Sequence, residues 1–273
     1  MILVNGKETD VIPVSDRGLA YGDGLFETIA VRQSSALLWE LHWQRLEAGC
    51  KRLCIKCPEV NLVKKDIERL LDRAPQSQRS RCVIKIIVTR GIGSRGYRIE
   101  PDRYTTRILQ LADAPEYPED FYTRGVKCRI CKTRLASQPL LAGIKHLNRL
   151  EQVLARMEWD DVDINEGIML SSDGRVIEGT MSNIFFVTES GALETPRLAA
   201  CGIAGVQREN IINIAQSINI AVKETDIGIN QLGNYQELFL TNSLIGIWPV
   251  QNIEQQVFKP GTVTRSLQRA LGI

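Results

Sequence analysis

Leu140-Leu141-Ala142-Gly143-Ile144-Lys145-His146-Leu147-Asn148-Arg149-Leu150-Glu151-Gln152 places a lysine among apolar neighbours at the start of a helical pattern. Ile144, Leu147, Leu150, Val153, Leu154 and Met157 recur at helical spacing, which predicts a helix from about 144 to 158 with one apolar side. Burial disfavours the charged form of lysine and lowers its pKa, so Lys145 is a candidate Schiff-base former. Spacing alone favours the plainer alternative, in which Lys145, Asn148, Arg149 and Gln152 are the polar stripe of an amphipathic helix.

Outward from this stretch the pattern is mixed. Downstream, strands are expected over 167–171 and 176–178, joined by the hairpin signal Ser172-Asp173-Gly174, and again over 184–187 and 237–241. Gly205 precedes a helix over 206–218. Upstream, Val126, Cys128 and Ile130 alternate as one face of a strand with Cys131 on the other. Before it, Ala114-Pro115-Glu116-Tyr117-Pro118-Glu119-Asp120 is the best linker in the chain. The expected organisation is an N-terminal α/β domain over 1–113, a linker over 114–120 and a C-terminal domain over 121–273. The first domain reads as a strand over 2–4, a turn at Asn5-Gly6 with a return toward Val14, and strands over 26–31, 82–89 and 106–112. One helix carries Leu46, Cys50, Leu53 and Cys54, and another covers 62–71. No repeat or low-complexity tract interrupts this order, and the fold class is α+β.

Composition excludes several classes of function. The chain has 273 residues, 44% hydrophobic and 24% charged, with 34 basic against 32 acidic residues and a formal net charge of +2. Such a balance belongs to a globular chain, not to a disordered segment, a collagen-like repeat or a coiled-coil rod. Apolar runs such as 184–187 fall far short of the roughly 18 residues that span a bilayer. Residues 1–6 read as a strand entering a turn rather than a signal peptide, and a cytoplasmic location is expected. Seven cysteines include the CxxC pairs Cys54/Cys57 and Cys128/Cys131, but neither pair sits in the tight turn that a zinc site needs. No metal is expected, and reduced, unpaired thiols are.

Gly91-Ile92-Gly93-Ser94-Arg95-Gly96 matches the dinucleotide-binding G-x-G-x-x-G. No helix opens after it, since Tyr97-Arg98-Ile99-Glu100-Pro101 runs through a proline toward the next strand. The glycines therefore shape a loop between antiparallel strands. Around it, 79–107 holds eight basic residues (Arg79, Arg81, Lys85, Arg90, Arg95, Arg98, Arg103, Arg107) and two acidic ones, Glu100 and Asp102. With the whole chain near neutral and few interleaved aromatics, an anionic small molecule suits this run better than nucleic acid.

Lys145 and its context, with Tyr21-Gly22-Asp23-Gly24-Leu25-Phe26-Glu27-Thr28, His42-Trp43-Gln44-Arg45-Leu46 and Glu178-Gly179-Thr180-Met181-Ser182-Asn183-Ile184-Phe185, resemble the fold-type IV pyridoxal-phosphate family. That family holds branched-chain aminotransferases, D-amino acid aminotransferases and 4-amino-4-deoxychorismate lyases. The resemblance implies a two-domain D-amino acid aminotransferase-like fold with pyridoxal 5'-phosphate in the C-terminal domain. Lys145 would bond the cofactor aldehyde, and Glu178 would face the pyridine nitrogen and keep it protonated. Arg45 would bind the phosphate, together with Gly205, Val206 and Gln207 at a helix start and with Asn242 and Ser243. Read without the family, Glu178 ends a hairpin strand and Thr28 is an ordinary strand threonine.

Within the family, the branched-chain enzymes place tyrosine five residues after the lysine, where this chain has Leu150. D-amino acid aminotransferases carry an Arg-x-His trap, where this chain has Arg95-Gly96-Tyr97. The surroundings of Lys145 and of Arg95 instead resemble the aminodeoxychorismate lyases, which make 4-aminobenzoate and pyruvate for folate biosynthesis. On that resemblance Lys145 is the general base, Thr28 delivers a proton, and Arg95, Tyr97 and Tyr21 meet a dicarboxylate substrate. A homodimer is likewise implied. A transaminase of the same fold and a non-catalytic pyridoxal-phosphate-carrying module are the competing readings.

Overall fold

The computed structural model describes residues 1–100 and 104–273; Pro101, Asp102 and Arg103, invoked above, lie outside them. The chain divides into two compact units, Met1–Pro115 with Ile144–Asn148, and Glu116–Gly143 with Arg149–Ile273.

In the first unit, β1 (Ile2–Val4), β2 (Lys7–Glu8), β3 (Gly24–Arg32), β4 (Ser35–Ala36), β5 (Arg81–Thr89) and β6 (Thr106–Asp113) form an antiparallel sheet of order β2-β1-β6-β5-β3-β4. Alternation along β3 buries Leu25, Ile29 and Val31 on one face, beside Ile84, Ile86 and Val88 of β5 and Leu109 of β6. Helix α1 is Arg17–Tyr21, α2 Trp39–Arg52, α3 Val60–Arg73 and α4 Gln76–Ser80. α2 packs on β3 and α3 on β1 and β6, burying Leu46, Cys50, Val63, Ile67 and Leu70. Phe26, Thr28 and Lys85 lie on the opposite, half-buried face.

The second unit comprises α5 (Glu119–Thr123), β7 (Val126–Leu135), α6 (Leu150–Arg156), β8 (Glu166–Ser171), β9 (Val176–Gly179), β10 (Asn183–Val187), β11 (Leu193–Pro196), α7 (Val206–Ser217), β12 (Val222–Thr225), β13 (Glu237–Asn242), β14 (Gly246–Ile253), β15 (Gln256–Val257) and α8 (Thr262–Ala270). Its sheet runs β12-β11-β10-β13-β14-β7-β8-β9, with β15 on β14. The β11/β12, β14/β7 and β7/β8 pairs are parallel and the rest antiparallel. Both faces of β10 are covered. Ile184 and Phe186 join a cluster with Trp248 and Leu240, while Phe185 and Val187 join Phe239 and Ile247 under Ile211 of α7 and Leu267 of α8. This accounts for its unbroken apolar run. Cys128 and Cys131 are buried in separate clusters, and all seven cysteines are free.

Three sequence expectations are corrected. The helix expected over 144–158 is only Leu150–Arg156, because residues 144–148 take an extended path along β3. Its apolar stripe also points outward: Leu150 and Met157 are 74% and 73% exposed, with Val153 and Leu154 between them, while Gln152 and Ala155 face in. Cys54 lies beyond the end of α2, exposed and in a left-handed conformation. The return toward Val14 is a two-residue strand, Lys7–Glu8, that leaves Val11 and Val14 exposed.

Phe186 has no exposed surface and belongs to the apolar cluster around Trp248. Phe186→Ala is expected to destabilise this unit by about 3–5 kcal/mol, read as a lower denaturation midpoint.

Candidate active site

In the first unit the lysine segment adds to the free edge of β3. The Phe26 N–H donates to the Lys145 carbonyl (2.9 Å), the Leu147 N–H donates to the Gly24 carbonyl (3.0 Å), and Leu25 bridges His146. Asn148 fastens the end of the segment, its Nδ2 donating to the Gly22 carbonyl at 3.1 Å. Residues opposite each other in antiparallel pairs share a face, so Lys145 stands on the face of Phe26 and Thr28. Its Nζ lies 4.3 Å from the centroid of the Phe26 ring. Lys85, paired with Thr28 across β5, brings a second ammonium to 5.5 Å from the same ring. Sequence reading saw Lys85 only as part of a basic run; its position opposite Thr28 needs the register of the two strands.

Arg45 was expected at a phosphate. Its guanidinium grips Glu27, Nε to Oε1 at 2.8 Å and Nη2 to Oε2 at 2.5 Å, and His42 Nδ1 meets the same carboxylate at 2.6 Å. Glu27 is 1% exposed. Burial alone would raise its pKa, but the charge and hydrogen bonds of Arg45 and the His42 bond outweigh this and hold the carboxylate below its usual range. Burial pulls His42 down; Glu27 opposes this, while Arg45 and Lys145 are close enough to reinforce it. Neutral His42 therefore donates from Nδ1 to Glu27.

Tyr21, Arg95 and Tyr97 meet around one loop. The Gly96 N–H donates to the Tyr21 hydroxyl at 3.1 Å, and the Tyr21 and Tyr97 rings lie 5.4 Å apart. Arg95 is exposed on the same loop.

The second unit supplies a buried carboxylate and a helix start without a side-chain cap. Glu178, 3% exposed at the end of β9, accepts from the Ile203 N–H at 2.8 Å. Arg149 is desolvated, which lowers its pKa, with the charges of Glu178 and Glu151 acting against this. Helix α7 starts at N-cap Gly205 without a side-chain cap, leaving first-turn amides such as those of Val206 and Gln207 for an anion. A Cβ at Gly205 would stand 2.0 Å from Asn183 Oδ1, so the close approach requires glycine. Asn183 itself staples this loop, its Nδ2 donating to the Ile203 carbonyl. Asn242 spends its side chain locally: Nδ2 donates to the Met181 carbonyl, and Oδ1 accepts from the Leu244 and Ile245 N–H groups in the turn that holds Ser243.

Sequence reading missed Glu166. Its buried carboxylate accepts from the N–H groups of Gly167, Thr180 and Met181 and from the hydroxyls of Thr180 and Ser182, at 2.5 to 3.2 Å. It thereby sets the turn between Glu178 and Asn183. An amine, a buried carboxylate and an uncapped helix end are the chemistry that a phosphorylated pyridine aldehyde requires, so the residues fit pyridoxal phosphate.

Residues 24–253 match the amino-transferase class IV family. The crystal structure of 4-amino-4-deoxychorismate lyase from Pseudomonas aeruginosa is similar with a TM-score of 0.93 and 44% identity, over 99% of this chain and 98% of that one. Aminodeoxychorismate lyase of Vibrio harveyi is 36% identical over 98% of both chains. A putative branched-chain-amino-acid aminotransferase of Methanocaldococcus jannaschii is 31% identical over 98% of this chain and 93% of that protein.

The buried Glu27 pair sets a pH dependence. Glu27 titrates lower folded than unfolded, so its stabilisation is complete above the unfolded value of about 4 and is lost as pH falls through the lowered folded one. His42 is also lower when folded, so below about 6.5 the unfolded chain binds the extra proton and stability falls there too. Melting of the first unit is expected to drop in two stages on acidification, and His42→Gln to remove the stage nearer neutrality.

Proposed function

The chain belongs to the amino-transferase class IV family, and on that premise we propose that it is an aminodeoxychorismate lyase, converting 4-amino-4-deoxychorismate to 4-aminobenzoate and pyruvate. The observation that carries the reading is the pairing of residues 144–148 with β3, which puts the Lys145 amine on the same face as Thr28. The near full-length likeness to lyases supports the choice within the family.

Pyridoxal 5'-phosphate supplies an electron-accepting ring that withdraws charge from the substrate carbon beside its amine. Lys145 would hold the cofactor at its aldehyde and, with its amine free, would take the proton from the substrate C4 as general base. Glu178, its carboxylate oriented by the Ile203 N–H, would meet the ring nitrogen and keep it protonated. The first-turn amides of α7 would hold the phosphate, for which Arg45, its fork oriented by Glu27, is the first unit's candidate. Breaking the C3–O bond releases the enolpyruvyl group, and Thr28 delivers the proton that its methylene carbon needs to become pyruvate. Arg95, Tyr97, Tyr21 and Lys85 are the groups offered to the two carboxylates.

The functional molecule is a homodimer. Leu150, Val153, Leu154 and Met157 form a continuous exposed stripe on α6, a surface that a second copy would cover. Among the described residues no helix is long and apolar enough to cross a membrane, and seven unpaired thiols suit the reducing cytoplasm.

The deciding assay is turnover of enzymatically generated aminodeoxychorismate, followed as 4-aminobenzoate fluorescence. Lys145→Ala is expected to lower the rate by at least about 100-fold and to abolish borohydride trapping, and Thr28→Val to slow turnover by about 100-fold. An intact rate in Lys145→Ala, or accumulation of the pyridoxamine form with an amino acid in place of lyase turnover, overturns the reading. Leu154→Asp is expected to shift the protein to monomer in sedimentation analysis.

A further inference from the structure

We propose that Arg17 is a positioning residue for the substrate: it clamps the Gly91–Tyr97 turn from beneath, so that Arg95 and Tyr97 are presented to a carboxylate. The inference rests on the reading of that turn as the substrate-carboxylate site.

Arg17 is 7% exposed although it opens a five-residue helix on a polar stretch. Nε donates to Asp23 Oδ2 at 2.8 Å, Nη1 to the Gly96 carbonyl at 2.9 Å, and Nη2 reaches the Tyr97 carbonyl at 3.5 Å. The guanidinium also lies 4.9 Å from the centroid of the Tyr21 ring, whose hydroxyl accepts from Gly96. One planar cation thus holds the backbone on either side of the Gly96–Tyr97 peptide and one of the two aromatic rings beside it. A lysine, with a single ammonium, cannot serve all three directions.

The loop is built around this side chain. A Cβ on Gly93 would lie 2.7 Å from Arg17 Cδ and 2.9 Å from Cγ, so the chain can wrap the arginine stem only with glycine there. The Gly93 N–H donates to the Ser15 carbonyl and the Arg17 N–H to the Gly91 carbonyl, closing the collar. Of the three glycines in the pattern that fails as a dinucleotide fingerprint, this collar explains Gly93, while Gly91 and Gly96 take φ of 86° and 96°, the left-handed region that favours glycine. Arg17 is not needed to keep Asp23 in place, because Arg90 holds the same carboxylate through Nε at 2.7 Å and Nη2 at 2.9 Å. Arg90 is in turn anchored on the Leu53 and Cys54 carbonyls.

The test compares holoenzyme variants Arg17→Lys, Gly93→Ala and Arg95→Ala by three measurements: KM against kcat for aminodeoxychorismate, cofactor affinity, and amide hydrogen exchange over residues 93–97. Arg17→Lys is expected to speed exchange in the loop and raise KM about 10- to 100-fold, with kcat and cofactor affinity unchanged. Gly93→Ala, which crowds the stem and keeps the charge, is expected to move KM and exchange the same way. Unchanged exchange in both variants overturns the clamp. Raised KM in Arg95→Ala with unchanged KM in Arg17→Lys also overturns it, since the loop then works without being held. Unchanged KM in Arg95→Ala instead overturns the assignment of the substrate site to this loop, whatever Arg17 does.

Discussion

Two backbone hydrogen bonds decide what this protein can do: Phe26 N–H to the Lys145 carbonyl and Leu147 N–H to the Gly24 carbonyl. They hold five residues of a distant segment in register against the edge of β3. Side chains alternate along a strand, so a slip of one residue would turn Lys145 to the face of Leu25 and Glu27 and bring His146 to the face of Phe26 and Thr28. The Asn148 bond to Gly22 pins the end of the segment against such a slip. The face on which the amine stands is therefore set by main-chain pairing.

Much of the frame is legible in the chain. The largely apolar runs over 26–31, 82–89 and 106–112 identify β3, β5 and β6, and the run over 184–187 identifies β10. The extended path of 144–148 is not legible, because its partner is a sheet edge more than a hundred residues away and its apolar spacing also suits a helix. The stripe on α6 shows the limit of periodicity, which reports that one side is apolar but not which side meets the core. Pro249 hides β14, since proline in a central strand argues against strand, yet Pro249 sits opposite Phe239 in the ladder.

The motif residues divide by what they hold. Lys145, Thr28 and Glu178 are the residues to which the proposed chemistry falls. Asn183 and Asn242 fasten backbone instead, one to Ile203 and the other to Met181 and its own turn. Glu166 belongs with this second group and has no motif of its own, because its significance lies in five donors that come together only when β8, β9 and the turn that follows β9 are folded. Arg45 stands between the two groups, since Glu27 holds and orients the fork proposed for phosphate.

The Asp23 carboxylate is shared by two guanidiniums, Arg17 and Arg90, so this trio retains one uncompensated positive charge under the Arg95 loop. A charge embedded in the frame cannot swing away from an approaching dianion, and the attraction it adds acts over roughly 10 Å at 0.1 M salt. The pull of this face on an anion is consequently sensitive to ionic strength, falling as added salt shortens that reach.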